Sequence, residues 1–399
     1  MTHPWAPVPG NSDFPVQNLP YGVFSQPGKD PRVGVAIGDA VLDLSQLDLP
    51  YRADFATASL NPFMSRGHQA WRAVRARLTE LLTDPIHRPS VQPHLIPRSD
   101  ITLHLPFQVA DYADFYASEH HATNLGKIFR PGQPSLPPNW KHLPIGYHGR
   151  AGTVVKSGTP VVRPKGQYMV GDASAPAFGP SRRLDIEAEI GFVVGTPSAQ
   201  GTSVPATAFA DHVFGVVLVN DWSARDIQAW EYTPLGPFLG KSFATSVSPW
   251  VVPLDALSAA RVHPHQDPAP LPYLSKGQRW GLDITMEIRL NGHLVSTPPF
   301  GSVYWTADQQ LAHMTSNGAS LRTGDLYASG TVSGPRRDQR GSLIELTWNG
   351  AEPLELPDGS SRSYLMDGDT VTISASARCA DGTRLGFGET TGTIGPADV

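Results

Sequence analysis

Thirty-eight glycines and 39 prolines punctuate this chain of 399 residues, well above the average usage of about 7 % glycine and about 5 % proline. Neither residue is at ease in the interior of a helix or a central strand. The chain is therefore expected to fold as many short strands joined by tight turns, with few helices. Its length allows about two to four domains. Hydrophobic residues at 40 % and charged residues at only 17 % exclude a disordered, solvated chain. A net charge of −5 leaves no basic excess to neutralise phosphates, which argues against nucleic acid as a partner. The lone cysteine, Cys379, excludes an intrachain disulfide and a multi-cysteine zinc site.

The opening MTHPWAPVPG has neither a basic nor an apolar leader region. The longest apolar run, Val213–Val219, is far below the ~18 residues that a membrane span needs. A soluble, cytoplasmic protein without membrane contact is expected.

Residues 32–45 read as two short strands around a turn at Gly38–Asp39. Residues 66–84 place Trp71, Val74, Leu78, Leu81 and Leu82 at helical spacing, which predicts one amphipathic helix. A proline-rich stretch follows over 86–100, and we place a domain boundary near 105, giving units 1–105 and 106–399. Beyond it, 185–195 alternates and then turns apolar, and 213–221 is apolar almost throughout, as a strand buried on both faces would be. Residues 282–295 form a hairpin pattern with Asn291–Gly292 at its turn. Further strands are expected in the tail, and helices around 111–124, 223–232 and 305–316.

Carboxylates carry the strongest chemical signal. At strand period Asp185, Glu187 and Glu189 share one face, where mutual repulsion calls for solvent or a cation. Asp221 closes the apolar run, as a helix cap or as a further ligand. Oxygen donors without clustered cysteine or histidine suit Mg²⁺ or Ca²⁺. Arg225, Gln228 and Tyr232 fall on one stripe of the expected helix 223–232, and the rigid loop after it presents Lys241. Such donors suit an anion or a developing oxyanion. If 111–124 is helical throughout, Asp114 and His121 share a face ~10 Å apart along the axis, an acidic ligand and a general base. The Gly/Ser/Thr stretch 328–334 is a hairpin turn or a carboxylate-holding loop. Glu345 stands in the middle of an apolar strand pattern and wants a partner, which a histidine would supply.

The strings DYADFYASEHHATN, LPPNWKHLPIGYHGR, RRLDIEAEIGFVVG, GVVLVNDWSARDIQAWEYTPLGPFLGKSFATSVSPWVVP and GDLYASGTVSG together resemble the fumarylacetoacetase family, over most of the chain. The resemblance implies a small N-terminal SH3-like β-barrel and a large C-terminal β-sandwich roll, mainly β with a few helices. It implies a cytoplasmic homodimer that uses a divalent metal, Mg²⁺ or Ca²⁺, to hydrolyse a carbon–carbon bond of a diketo acid, 4-fumarylacetoacetate, in tyrosine and phenylalanine breakdown. By matching motifs it implies Asp114, Glu187, Glu189 and Asp221 as metal ligands, with Lys241 and Thr245 beside the metal and Asp185 as a flank. Ala244 stands where the family pattern has glycine. His121 would be the water-activating base, oriented by Glu345, with Arg225, Gln228 and Lys241 facing the oxyanion. Tyr116, Arg130, Tyr147, Gln228, Tyr232 and Thr331 match substrate-contacting positions. Weighed against this reading are a related acylpyruvate-type hydrolase or oxaloacetate decarboxylase, a non-catalytic cation-binding protein of the same fold, and a two-histidine iron oxygenase. The last is disfavoured because His120 and His121 are adjacent.

Overall fold

In the computed structural model, residues 4–277, 279–379 and 381–398 are described. The leader-free reading of the opening therefore falls partly on residues 1–3, outside the described part. The fold is mainly β. A first antiparallel sheet runs in the order Leu95–Pro97, Ala40–Asp43, Arg32–Ile37, Tyr21–Ser25, Thr102–Leu103. Its predicted turn forms at Gly38, whose φ of 56° suits glycine. The predicted amphipathic helix spans His68–Thr83 and buries Trp71, Val74, Leu78, Leu81 and Leu82. The proline-rich stretch is not mere linker, since Leu95–Pro97 pairs with Ala40–Asp43 at the sheet edge.

A second, larger sheet holds Gly146–His148, Tyr112–Phe115, Leu326–Ala328, Ala188–Val194, Val213–Asp221, Thr245–Val247 and Val154–Lys156 in that order, with Val252–Pro253 also beside Val213–Asp221. A third runs His293–Ser296, Ile284–Leu290, Thr370–Arg378, Arg384–Gly395, Val161–Val162. The predicted hairpin turns at Asn291 and Gly292, both with positive φ (51° and 82°).

Strand Val213–Asp221 is buried along its whole length because both of its faces are covered. Val216 and Leu218 join the core shared with the third sheet, alongside Ile284, Ile288 and Ile373. Phe214, Val217 and Val219 join the other core, alongside Tyr21, Phe63 and Trp71 from the first hundred residues. This is the physical reason for the unbroken apolar run. The ends of the described chain are also stitched. Gly386 N–H donates to Asp13 O at 2.8 Å, Asn18 Nδ2 donates to Gly386 O at 2.8 Å, and Arg384 Nε meets Asp13 Oδ1 at 2.5 Å.

Three expectations are corrected. Residues 111–124 are not one helix: Tyr112–Phe115 is a strand, and the helix is Glu119–Phe129, capped by Ser118. Asp114 and His121 therefore do not share a helical face. Glu345 lies not in a strand but in a single helical turn, Leu343–Leu346. Residues 328–334 do not form a hairpin turn: they run from strand Leu326–Ala328 alongside 188–190, with Ser329 N–H donating to Ile190 O and Val332 N–H to Ala188 O. The other two predicted helices appear as Arg225–Glu231 and Ala307–Thr315.

Candidate active site and metal centre

The acidic segment does not run as one straight strand. Leu184–Asp185 pairs with Ser223–Ala224, the ladder breaks at Ile186–Glu187, and Ala188–Val194 then joins the large sheet. At the break, Glu187 N–H donates to Asn220 Oδ1 (3.2 Å) and Asp221 N–H to Glu187 O (3.1 Å). Asp185 does not belong to the cluster that Glu187 and Glu189 join, so the expected row of three carboxylates does not form one group. Asp114 arrives from strand Tyr112–Phe115 and Asp221 from the end of Val213–Asp221. One oxygen from each of Asp114, Glu187, Glu189 and Asp221 lies within 4.8 Å of the others, all buried. Asp221 caps no helix: its carboxylate accepts from Lys241 Nζ (2.7 Å), Tyr147 Oη (3.0 Å) and Thr245 Oγ1 (3.1 Å).

Five buried carboxylates, counting Asp185, share two buried cations. Lys241 Nζ pairs with Glu187 and Asp221, and Arg225 Nη1 meets Glu187 Oε1 at 2.6 Å. Burial pushes the Glu187 carboxyl up, but Arg225 and Lys241 outweigh it and hold it below the usual range. Burial, joined by Asp114, Glu187 and Asp221, pushes Glu189 well up, and Asp114 rises through burial and Asp221. Burial disfavours the Lys241 ammonium, but Asp221 and Glu187 prevail and raise its pKa. An ammonium offers no lone pair to a cation, so Lys241 braces the Glu187 and Asp221 carboxylates and cannot itself coordinate one. Both oxygens of Glu189 and Oδ1 of Asp114 lack hydrogen-bond partners. Buried carboxylate oxygens without donors, in an all-oxygen set with excess negative charge, fit a hard divalent cation.

His121 and Glu345 form a second buried pair, near enough for the His121 charge to act on Glu187. His121 Nδ1 lies 2.7 Å from Glu345 Oε2, and both side chains are buried. Glu345 also accepts from Ser333 Oγ (2.9 Å), Ser342 Oγ (2.7 Å) and Asn124 Nδ2 (2.9 Å). Burial alone would raise its pKa, but His121, Asn124 and Ser342 carry it below the ordinary value. A carboxylate on Nδ1 leaves Nε2 as the nitrogen able to take a proton. Tyr116 stands edge-on to the His121 ring, centroids 5.4 Å apart.

Of the other predicted residues, Gln228 Oε1 accepts from Arg225 Nη1 (3.2 Å), while Arg225 Nη2 and Thr331 Oγ1 are buried without partners. The loop bearing Lys241 is clamped by Glu231, whose Oε1 accepts the amides of Phe238 (2.9 Å) and Gly240 (2.8 Å). Arg130 donates to Ser135 O at 3.0 Å, and its charge acts on Tyr116. Tyr232, just past the helix Arg225–Glu231, is 49 % exposed and does not join the buried cluster. A cavity of about 300 Å³ lies against Ala113 and Phe115; of the predicted site residues only Tyr147 lines it. Sequence reasoning missed Asn124, Ser333 and Ser342. Asn124 follows His121 by three residues and Ser342 precedes Glu345 by three, spacings that meet on a helical turn once the helix is known.

The family model for the fumarylacetoacetate hydrolase C-terminal region matches residues 111–394, and that for the fumarylacetoacetase N-terminal region matches 17–106. The chain is 49 % identical to a fumarylacetoacetase of Caenorhabditis elegans over 98 % of this chain and 99 % of that one. To a Homo sapiens fumarylacetoacetase it is 48 % identical over 98 % of each. A solved fumarylacetoacetate hydrolase of Exiguobacterium antarcticum superposes with a TM-score of 0.56 at 18 % identity, over 95 % of this chain and 99 % of that one. A maleylpyruvate hydrolase of Sphingobium gives 0.51 at 16 % identity, over 95 % and 100 %. These two likenesses bear on the fold.

Proposed function

The chain belongs to the fumarylacetoacetate hydrolase family, and from that membership we infer that it is an enzyme hydrolysing 4-fumarylacetoacetate to fumarate and acetoacetate. The observation that carries the reading is the buried His121–Glu345 pair, set beside a four-carboxylate cluster and the unpartnered Arg225 Nη2.

The substrate is a β-diketone between two carboxylates. His121 Nε2 accepts a proton from water while Glu345 holds Nδ1 and steadies the imidazolium that forms. The resulting hydroxide attacks the carbonyl nearer the fumaryl end. Arg225, Gln228 and Lys241 face the oxyanion of the tetrahedral adduct. Collapse breaks the carbon–carbon bond, with the electron pair leaving as an enolate, and the proton on His121 returns to that carbon. Asp114, Glu187, Glu189 and Asp221 would hold a divalent cation, Mg²⁺ or Ca²⁺, with Lys241 and Thr245 securing them; when bound, the cation supplies Lewis-acid polarisation of the diketone oxygens. Tyr116, Arg130, Tyr147, Tyr232 and Thr331 are assigned to substrate contact. The finer reading also includes units at 1–105 and 106–399, the first SH3-like, a cytoplasmic setting and a homodimer. Among the described residues no helix is long and apolar enough to cross a membrane.

The test is the ultraviolet decay of 4-fumarylacetoacetate with the purified protein after chelation, and again after Mg²⁺ or Ca²⁺ is restored. Cleavage lost with chelator and regained with metal supports both the reaction and the site. No cleavage with any metal overturns the substrate assignment.

A further inference from the structure

Asp185 is fully buried yet belongs to neither the carboxylate cluster nor the base pair. Its oxygens are nevertheless satisfied by four donors from three parts of the chain. Oδ1 accepts the amides of Ile186 and Leu343, each at 2.7 Å. Oδ2 accepts the amide of Ile344 at 3.1 Å and Arg225 Nε at 2.8 Å. Leu343 and Ile344 open the turn whose next residue is Glu345. Arg225 begins the helix behind Ser223–Ala224, the strand that pairs with Leu184–Asp185, and its own amide donates to Arg183 O at 2.9 Å. One carboxylate therefore touches both the guanidinium facing the oxyanion and the turn that presents the partner of His121.

The division of the guanidinium is specific. Asp185 takes Nε, Glu187 and Gln228 take Nη1, and Nη2 is left buried and free. A planar group held on two sides has one orientation, and here that orientation keeps a donor available to an incoming oxygen. On the other side, the Glu345 carboxylate is placed by Ser333, Ser342 and Asn124, but the backbone that carries it is pinned by Asp185 and by Gly341 O, which accepts the Ala188 amide at 3.0 Å.

We propose that Asp185 is a positioning residue for the hydrolysis, tying Arg225 to the Glu345-bearing turn so that the oxyanion donor and the base pair hold one mutual geometry. The proposal rests on the proposed reaction for its kinetic readout, but not for its spectroscopic one.

The experiment compares wild type with Asp185→Asn, nearly isosteric but unable to accept all four donors. Expected is a fall in kcat of about 10–100-fold with KM changed less than about threefold, and unchanged Mg²⁺ affinity by calorimetry. Combined with Arg225→Ala or with Glu345→Gln, the loss should be clearly less than the product of the single losses, because the pairs act as a unit. Independently of turnover, the downfield proton resonance of His121 Nδ1–H, assigned by its disappearance in His121→Ala, should shift or broaden in Asp185→Asn. Should Asp185→Asn fail to accumulate folded, Asp185→Glu carries the same comparisons, with a smaller kcat loss because the carboxylate is kept. Multiplicative losses with both partners, or an unmoved His121 resonance, overturn the positioning role. If wild type cleaves no 4-fumarylacetoacetate while the resonance still responds to Asp185→Asn, the reaction is wrong and the coupling stands.

Discussion

Arg225 and Lys241 differ in what they leave free. Lys241 is engaged by Glu187 and Asp221, whereas Arg225 keeps Nη2 unpartnered. Removing one oxyanion donor typically costs ~100–1,000-fold in kcat, and Arg225→Ala and Lys241→Ala are expected to fall in that range in steady-state assays. A loss under about tenfold removes the residue from that role. His121→Ala should abolish turnover while calorimetry still detects cation binding, since His121 is not among the clustered carboxylates. Glu345 links the site to acid stability. Its folded pKa lies below the ordinary value, so its contribution is complete above the unfolded value of about 4.3 and is lost as pH falls through the folded one. The unfolding free energies of wild type and Glu345→Gln, measured against pH, should converge on the acid side; a gap that widens there contradicts the assignment. At this scale the sequence was a good guide to residue types. Asp114, Glu187, Glu189, Asp221, His121 and Glu345 all stood out before the fold was known. Alternation alone could not separate Asp185 from its neighbours, although the family resemblance set it apart as a flank, because alternation treats a strand as unbroken while the ladder is interrupted at Ile186–Glu187.

Elements whose apolar period was unambiguous appear where the pattern placed them: the helix His68–Thr83, the hairpin around Asn291–Gly292 and the doubly covered strand Val213–Asp221. Of the three misread segments, 111–124 and 341–348 are short and take their conformation from contacts distant in sequence. Tyr112–Phe115 is a strand because it pairs in parallel with Leu326–Ala328, more than two hundred residues away. Leu343–Leu346 is a helical turn because Asp185 occupies its leading amides. The same dependence makes the loop after Leu326–Ala328 sensitive to one methyl group. Gly330 has φ of 76°, and a Cβ there would lie 2.2 Å from Phe115 O. Gly330→Ala should lower stability by about 1–3 kcal/mol in denaturant titrations, and raise KM more than it lowers kcat, because Thr331 moves with the loop. Unchanged stability and KM would show that the loop relaxes freely.

For the molecule as a whole, the first hundred residues do more than precede the site. Phe214, Val217, Val219, Val247 and Leu326 share one core with Tyr21, Phe63, Trp71 and Leu78. A chain lacking residues 1–105 would present that face of the large sheet to water. It is expected to aggregate or to bind a hydrophobic dye strongly, whereas a monodisperse fragment without dye binding would mean that the face is covered in some other way. The contacts of Asp13 and Asn18 with Arg384 and Gly386 span about 370 positions. During synthesis the early segment leaves the ribosome long before its partner exists, and must wait with those groups in water. That seam therefore closes late, and a polypeptide released early never forms it. Its open edge would distinguish unfinished molecules from finished ones for any protease that reads exposed backbone.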